Sequence, residues 1–109
     1  MAEEKYIKWL ITHKKPVEVR LATDEFMNCD YINFICNDSK NRYKFKVVDR
    51  TLFNTFEQCV DYYGFKKLIC DTKTREECIE KYKSFYPKKQ YLKFKIVALK
   101  LVWKLQNEE

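Results

Sequence analysis

A single glycine, Gly64, and two prolines, Pro16 and Pro87, punctuate the whole 109-residue chain. So few breakers exclude a linker, a collagen-like chain and a disordered tail. They also exclude a glycine-rich phosphate loop, which needs several glycines close together. The chain must instead consist of regular elements joined by short turns. At 109 residues and 46% apolar content it is expected to form one domain, residues 1–109, with its own core.

The hydropathy pattern places those elements. Ile7, Leu10 and Ile11 recur at helical spacing, with Tyr6 and Trp9 widening the face, and predict a helix over 2–14. Pro16 ends it, because the residue before a proline is driven out of the α region. Val17, Val19 and Leu21 then alternate with Glu18 and Arg20, a half-buried strand with its charged pair on one face. Residues 22–29 read as a connection. Ile32, Phe34 and Cys36 predict a strand over 30–36, the polar cluster 37–41 a turn, and Tyr43, Phe45 and Val47 a partner strand, together a hairpin.

Two capping boxes follow. Asn54 with Glu57 opens a helix to Tyr63, closed by Gly64, and Thr74 with Glu77 opens a helix burying Cys78, Ile79, Tyr82 and Phe85 before Pro87. The last segment, 91–105, reads as a long strand. Its apolar parity changes from even (Leu92, Phe94, Ile96) to odd (Leu99, Leu101, Trp103), which predicts a β-bulge or a barrel corner near 97–99. The sum is an α+β chain with a small, strongly bent sheet or barrel.

The net charge is +6, from 22 Lys plus Arg and 16 Asp plus Glu. With 17% aromatic residues this suggests a polyanion partner, RNA or DNA; a lysine-rich soluble surface is the alternative. Five cysteines, an odd number without C-x-x-C spacing, read as buried or free thiols in a reducing compartment. No run of about 18 apolar residues occurs, so no membrane partner is expected. The charged start, residues 1–8, is unlike a signal peptide, and the expected location is intracellular, as a monomer. Asp38, Asp49 and Asp71 are scattered and suggest no metal site, and no motif calls for a cofactor.

The candidate site is the stretch from His13 to Arg20. Lys14 and Lys15 enter the strand, and alternation puts Glu18 and Arg20 together on one face. An arginine fork suits phosphate or a base edge, a glutamate can accept from an amino group or act as a base, and a lysine can neutralise phosphate. An ordinary exposed Glu–Arg pair is the alternative reading. His13, the sole histidine, leaves no Ser-His-Asp arrangement. Lys44, Lys46, Lys93 and Lys95 could form a phosphate track, and Tyr43, Tyr86 and Tyr91 could stack on bases.

Lys15-Pro16-Val17-Glu18-Val19-Arg20-Leu21 resembles the signature of ASCH domains (activating signal cointegrator homology, similar in fold to PUA domains), whose pattern runs Gly-x-Lys-x-x-Glu-x-Arg. Asp30-Tyr31-Ile32-Asn33-Phe34, Phe53-Asn54-Thr55-Phe56-Glu57, the stretch from Tyr82 to Pro87, and Lys95-Ile96-Val97-Ala98-Leu99 resemble further family elements in order. His13 and Cys29 stand where the family has glycines. The resemblance implies a PUA-like β-barrel of about five to six strands, mixed or antiparallel, flanked by about three helices. It implies recognition of RNA, a nucleotide or a modified nucleoside, with Lys14, Lys15, Glu18, Arg20 and Tyr86 as binding residues. A hydrolase using Lys15 and Glu18, acting on acylated cytidine or RNA, is the alternative. Glu18 stands where the amidohydrolase branch has its Thr nucleophile, so that pair does not carry over. A protein-interaction domain with a vestigial cleft is the second alternative.

Overall fold

The computed structural model describes residues 4–12, 15–37, 39–69 and 71–103. Among these, four strands form one antiparallel sheet: β1 (Val17–Leu21), β2 (Tyr31–Ile35), β3 (Arg42–Phe53) and β4 (Ile96–Trp103), in the order β1-β4-β3-β2. The sheet curls into a half-barrel whose two edges, β1 and β2, do not pair. Six helices surround it: α1 (Glu4–Ile11), α2 (Asp24–Asn28), α3 (Phe56–Tyr63), α4 (Phe65–Leu68), α5 (Arg75–Ser84) and α6 (Lys88–Lys93). The α+β architecture with a strongly bent sheet is as the hydropathy pattern predicts. The barrel is open, with four described strands against about five to six expected, and three short helices (α2, α4, α6) join the expected set.

β4 explains both the curl and one correction. Val19 and Leu21 on β1 face Ala98 and Ile96, and join Phe56, Cys59, Ile79 and Tyr82 in one core under α3 to α5. Val97, Leu99 and Leu101 point the other way and join Ile7, Leu10, Ile32, Phe34 and Phe45 in a second core on the α1 side. Every residue from Ile96 to Leu99 is buried, so both parities of this central strand are apolar. The parity change is therefore no bulge: β1 and β4 keep register from Val17↔Lys100 to Leu21↔Ile96. The bulge lies in β3, where Val47 faces Leu101 and Asp49 faces Lys100, leaving the exposed Val48 between them.

Other boundaries shift for local reasons. Residues 24–28, expected as connection, form α2, whose first turn carries Asp24 and Glu25 at its positive end. β3 extends past Val47 to Phe53, because pairing with β4 carries the polar Asp49, Arg50 and Thr51 along as strand. The cap of α3 is Thr55 rather than Asn54. Its hydroxyl accepts from the Gln58 N–H, and Gln58 Oε1 accepts from the Asn54 N–H. Thr74 caps α5 as its spacing predicts, accepting from Glu77 N–H. Phe85, expected in the core, is 57% exposed. Residues 88–93 are helical: the alternation of Leu92, Phe94 and Ile96 straddles a helix end and a strand start.

Candidate functional site

Strand β1 carries the site. Direct cross-strand partners share a face, and Glu18 faces Leu99 while Arg20 faces Val97. Both charged side chains thus project to the face of the sheet that packs against α1, on its edge strand β1. Glu18 Oε1 accepts from Lys15 Nζ at 2.6 Å and Glu18 Oε2 from Arg20 Nη2 at 2.9 Å. Lys15 enters from the loop after α1, where its N–H donates to the Trp9 carbonyl, and its ammonium also lies 5.8 Å from the Tyr6 ring. The Lys15, Glu18 and Arg20 side chains are 6%, 9% and 26% exposed. An ordinary solvated Glu–Arg pair is therefore excluded.

The electrostatics follow from this geometry. Burial alone would raise the Glu18 carboxyl, but the charges and hydrogen bonds of Lys15 and Arg20 outweigh it and hold it at about 2. Glu18 is thus ionised at neutral pH and unsuited to general acid–base work there. Burial pulls the Arg20 guanidinium down, Glu18 more than offsets that, and the net shift is upward. Its Cζ also lies over two rings, 5.3 Å from the Phe26 centroid and 5.7 Å from that of Phe34.

Two cavities meet at Arg20. One, of about 330 Å³, is lined by Glu18, Val19, Arg20, Phe85 and Tyr86. The other, of about 400 Å³, runs along β2 beside Phe26, with Arg20 in its wall. Burial pushes the Tyr86 phenol up against the opposing pull of the adjacent Arg20. Beneath it Tyr82, stacked on Phe56 at 5.5 Å, has a buried hydroxyl without a hydrogen-bond partner among the described residues. Burial and the nearby Glu18 charge drive that phenol well above its usual value.

The structure thus brings together Lys15, Glu18, Arg20 and Tyr86. Lys14 and His13 lie outside the described residues, as do Asp38 and Cys70. Lys44, Lys46, Lys93 and Lys95 are exposed and do not line the Glu18 cavity. The Tyr43 hydroxyl donates to Glu4, and Tyr91 packs on Phe56. Cys59 and Cys78 are buried free thiols and Cys29 a half-buried one, and Cys36 is buried. Phe26, Phe34, Phe85 and Tyr82 also belong to the site. Nothing local in the sequence marks them, because the sheet's curl and the end of α5 bring them there.

A family model matches residues 1–103, and it is that of the glycosyl transferase family 64 domain. The chain belongs to that family. This overturns the ASCH resemblance, and with it recognition of RNA, nucleotides or modified nucleosides, ASCH-type hydrolysis, and the vestigial-cleft reading. The residues behind that resemblance are short strand segments and helix ends, and burial on one face and helix capping impose such patterns in many folds. Among solved structures, the crystal structure of hypothetical protein PH0355 is 24% identical, with a TM-score of 0.78, over 95% of this chain and 100% of that one. The solution structure of protein PF0455 from Pyrococcus furiosus is 21% identical, with a TM-score of 0.73, over 94% and 97%. These two share the fold with this glycosyl transferase family 64 domain. No curated protein matches the chain. No helix of the described residues is long and apolar enough to cross a membrane.

Proposed function

We propose that this glycosyl transferase family 64 domain binds a sugar phosphate, the activated partner of a glycosyl transfer, in the cavity of Glu18, Arg20, Phe85 and Tyr86. The observation that carries the reading is Glu18 itself, a buried carboxylate kept ionised between two cations at the wall of a ring-lined cavity. In glycosyl transfer the bond from the anomeric carbon to the phosphate oxygen breaks, and its electron pair leaves with the phosphate. The acceptor oxygen bonds to the carbon and gives its proton to the departing phosphate. The sugar ring is cationic in between, and a fixed carboxylate stabilises it. Arg20, the more exposed of the two cations, takes the phosphate with N–H groups not used on Glu18. Phe85 and Tyr86 offer apolar faces to the sugar ring. Lys15 is a positioning residue, holding Glu18 from behind. A reducing, intracellular setting belongs to the same reading, supported by the buried free thiols at Cys59 and Cys78.

The test is a titration of hexose 1-phosphates, with free hexoses and inorganic phosphate as controls, followed by NMR of the Arg20 and Tyr86 side chains. Saturable shifts with the sugar phosphates, at least about tenfold weaker binding in Arg20→Ala, and partial recovery in Arg20→Lys are expected. Arg20→Ala leaves Glu18 paired with Lys15, and circular dichroism checks that the variant is folded before it is titrated. An absence of binding by every hexose 1-phosphate, or equal binding by Arg20→Ala, overturns the proposal.

A further inference from the structure

Strand β2 is an edge of the sheet, and its backbone phase can be read from its ends. The Val47 N–H donates to the Asp30 carbonyl at 2.8 Å, and the Cys36 N–H to the Asn41 carbonyl at 2.9 Å. Asp30 and Cys36 therefore face β3, and in an antiparallel ladder so do Ile32 and Phe34 between them. The N–H and C=O groups of Tyr31, Asn33 and Ile35 must then point away from the sheet. No backbone partner meets them among the described residues. The cavity of about 400 Å³ is lined by every residue of β2, so these groups open onto it. An edge with free backbone groups along a cavity is the geometry by which a sheet accepts another strand.

The side chains say what kind of strand fits. Tyr31, Asn33 and Ile35 stand on the exposed face opposite Lys46, Lys44 and Arg42 of β3, and Lys44 Nζ lies 4.5 Å from the Tyr31 ring centroid. This face is basic. The other face carries Ile32 and Phe34, which join the core, with Phe26 and the Arg20 guanidinium beside them. Glu25 is the one carboxylate lining this cavity among the described residues. We propose that β2 docks an extended peptide of a partner protein as an added strand. That peptide has acidic side chains on the lysine-bearing face alternating with apolar ones on the Phe26–Phe34 face. The backbone supplies affinity, while the alternation and Lys44, Lys46 and Arg42 supply selectivity. This surface adjoins the sugar-phosphate cavity at Arg20, but the argument from the β2 backbone does not rest on that reading.

The experiment uses capped peptides of about seven residues that alternate glutamate with valine, or lysine with valine. A third peptide has the glutamate–valine composition in two blocks. Each is titrated into the full chain while amide exchange is followed by NMR. The alternating acidic peptide is expected to slow exchange at Tyr31, Asn33 and Ile35, with little change at Ile32 and Phe34. Asn33→Pro removes one outward N–H at a position where an edge strand tolerates proline, and Lys44→Glu with Lys46→Glu reverses the face. Each is expected to weaken binding by roughly tenfold or more. Equal binding of the lysine or block peptide, or no added protection at the outward amides, overturns the proposal. Protection that rises with protein concentration without peptide also overturns it, by giving the edge to a second copy of the chain.

Discussion

Glu18 shows how far a single residue depends on its partners. Its Oε1 accepts from Lys15 and its Oε2 from Arg20, and Lys15 is as deeply buried as Glu18 itself. Removing one member of a buried pair strands the other, so Glu18→Gln is expected to destabilise the chain by about 3–5 kcal/mol. Lys15→Met combined with Glu18→Gln removes both charges and is expected to cost less than Glu18→Gln alone. Urea unfolding of the two variants checks this, and a double variant no more stable than the single would contradict it. Tyr82 is the converse case. Its buried hydroxyl has no described partner, so Tyr82→Phe should leave stability unchanged or raise it by up to about 1 kcal/mol. A loss in thermal unfolding would mean that the hydroxyl is satisfied in solution.

At the scale of elements, the devices that start and stop helices were the most readable. Thr74 with Glu77 caps α5 at the expected residue, whereas in α3 the neighbouring Thr55 takes the role assigned to Asn54. Both residues have short oxygen-bearing side chains, so the motif locates the turn to within a residue rather than the cap atom. Gly64 stands at φ 87° and ψ 137° between α3 and α4, with no atom near where a Cβ would sit. Gly64→Ala is thus opposed by backbone strain rather than by a clash, and is expected to cost about 1–3 kcal/mol. Thr55→Ala should cost about 1 kcal/mol. Equal stability of Gly64→Ala and wild type in denaturant melts would show that the backbone relaxes there.

The whole molecule responds to pH through the same buried carboxylate. The Glu18 carboxyl, ordinarily near 4.5, is held at about 2 in the fold by Lys15 and Arg20. Because the folded value is the lower one, the unfolded chain takes up the proton first as pH falls. The stabilisation is complete above about 4.5 and is lost progressively down to about 2, and it is worth on the order of 3 kcal/mol. Unfolding midpoints measured from pH 6 to 2 should fall across that window. The fall should be shallower in the chain carrying both Lys15→Met and Glu18→Gln, and parallel curves would assign the acid response to other carboxylates.

The elements and their facing were legible because burial writes a period into the sequence. Two residues per repeat marked β1 and the β2–β3 hairpin, and three to four marked α1 and α5. The Lys15–Glu18–Arg20 cluster was legible for the same reason, since alternation places Glu18 and Arg20 side by side. Periodicity states which residues share a face, but not what covers that face. Only the tertiary structure decided that β4 is covered on both sides, which turned an apparent bulge into a central strand. It alone decided that the charged face of β1 turns inward toward Phe34 and Phe26, and that the backbone of β2 is left open beside Arg20. Those outcomes follow from the curl of the sheet, a sum of contacts between residues far apart in the chain that no local pattern records.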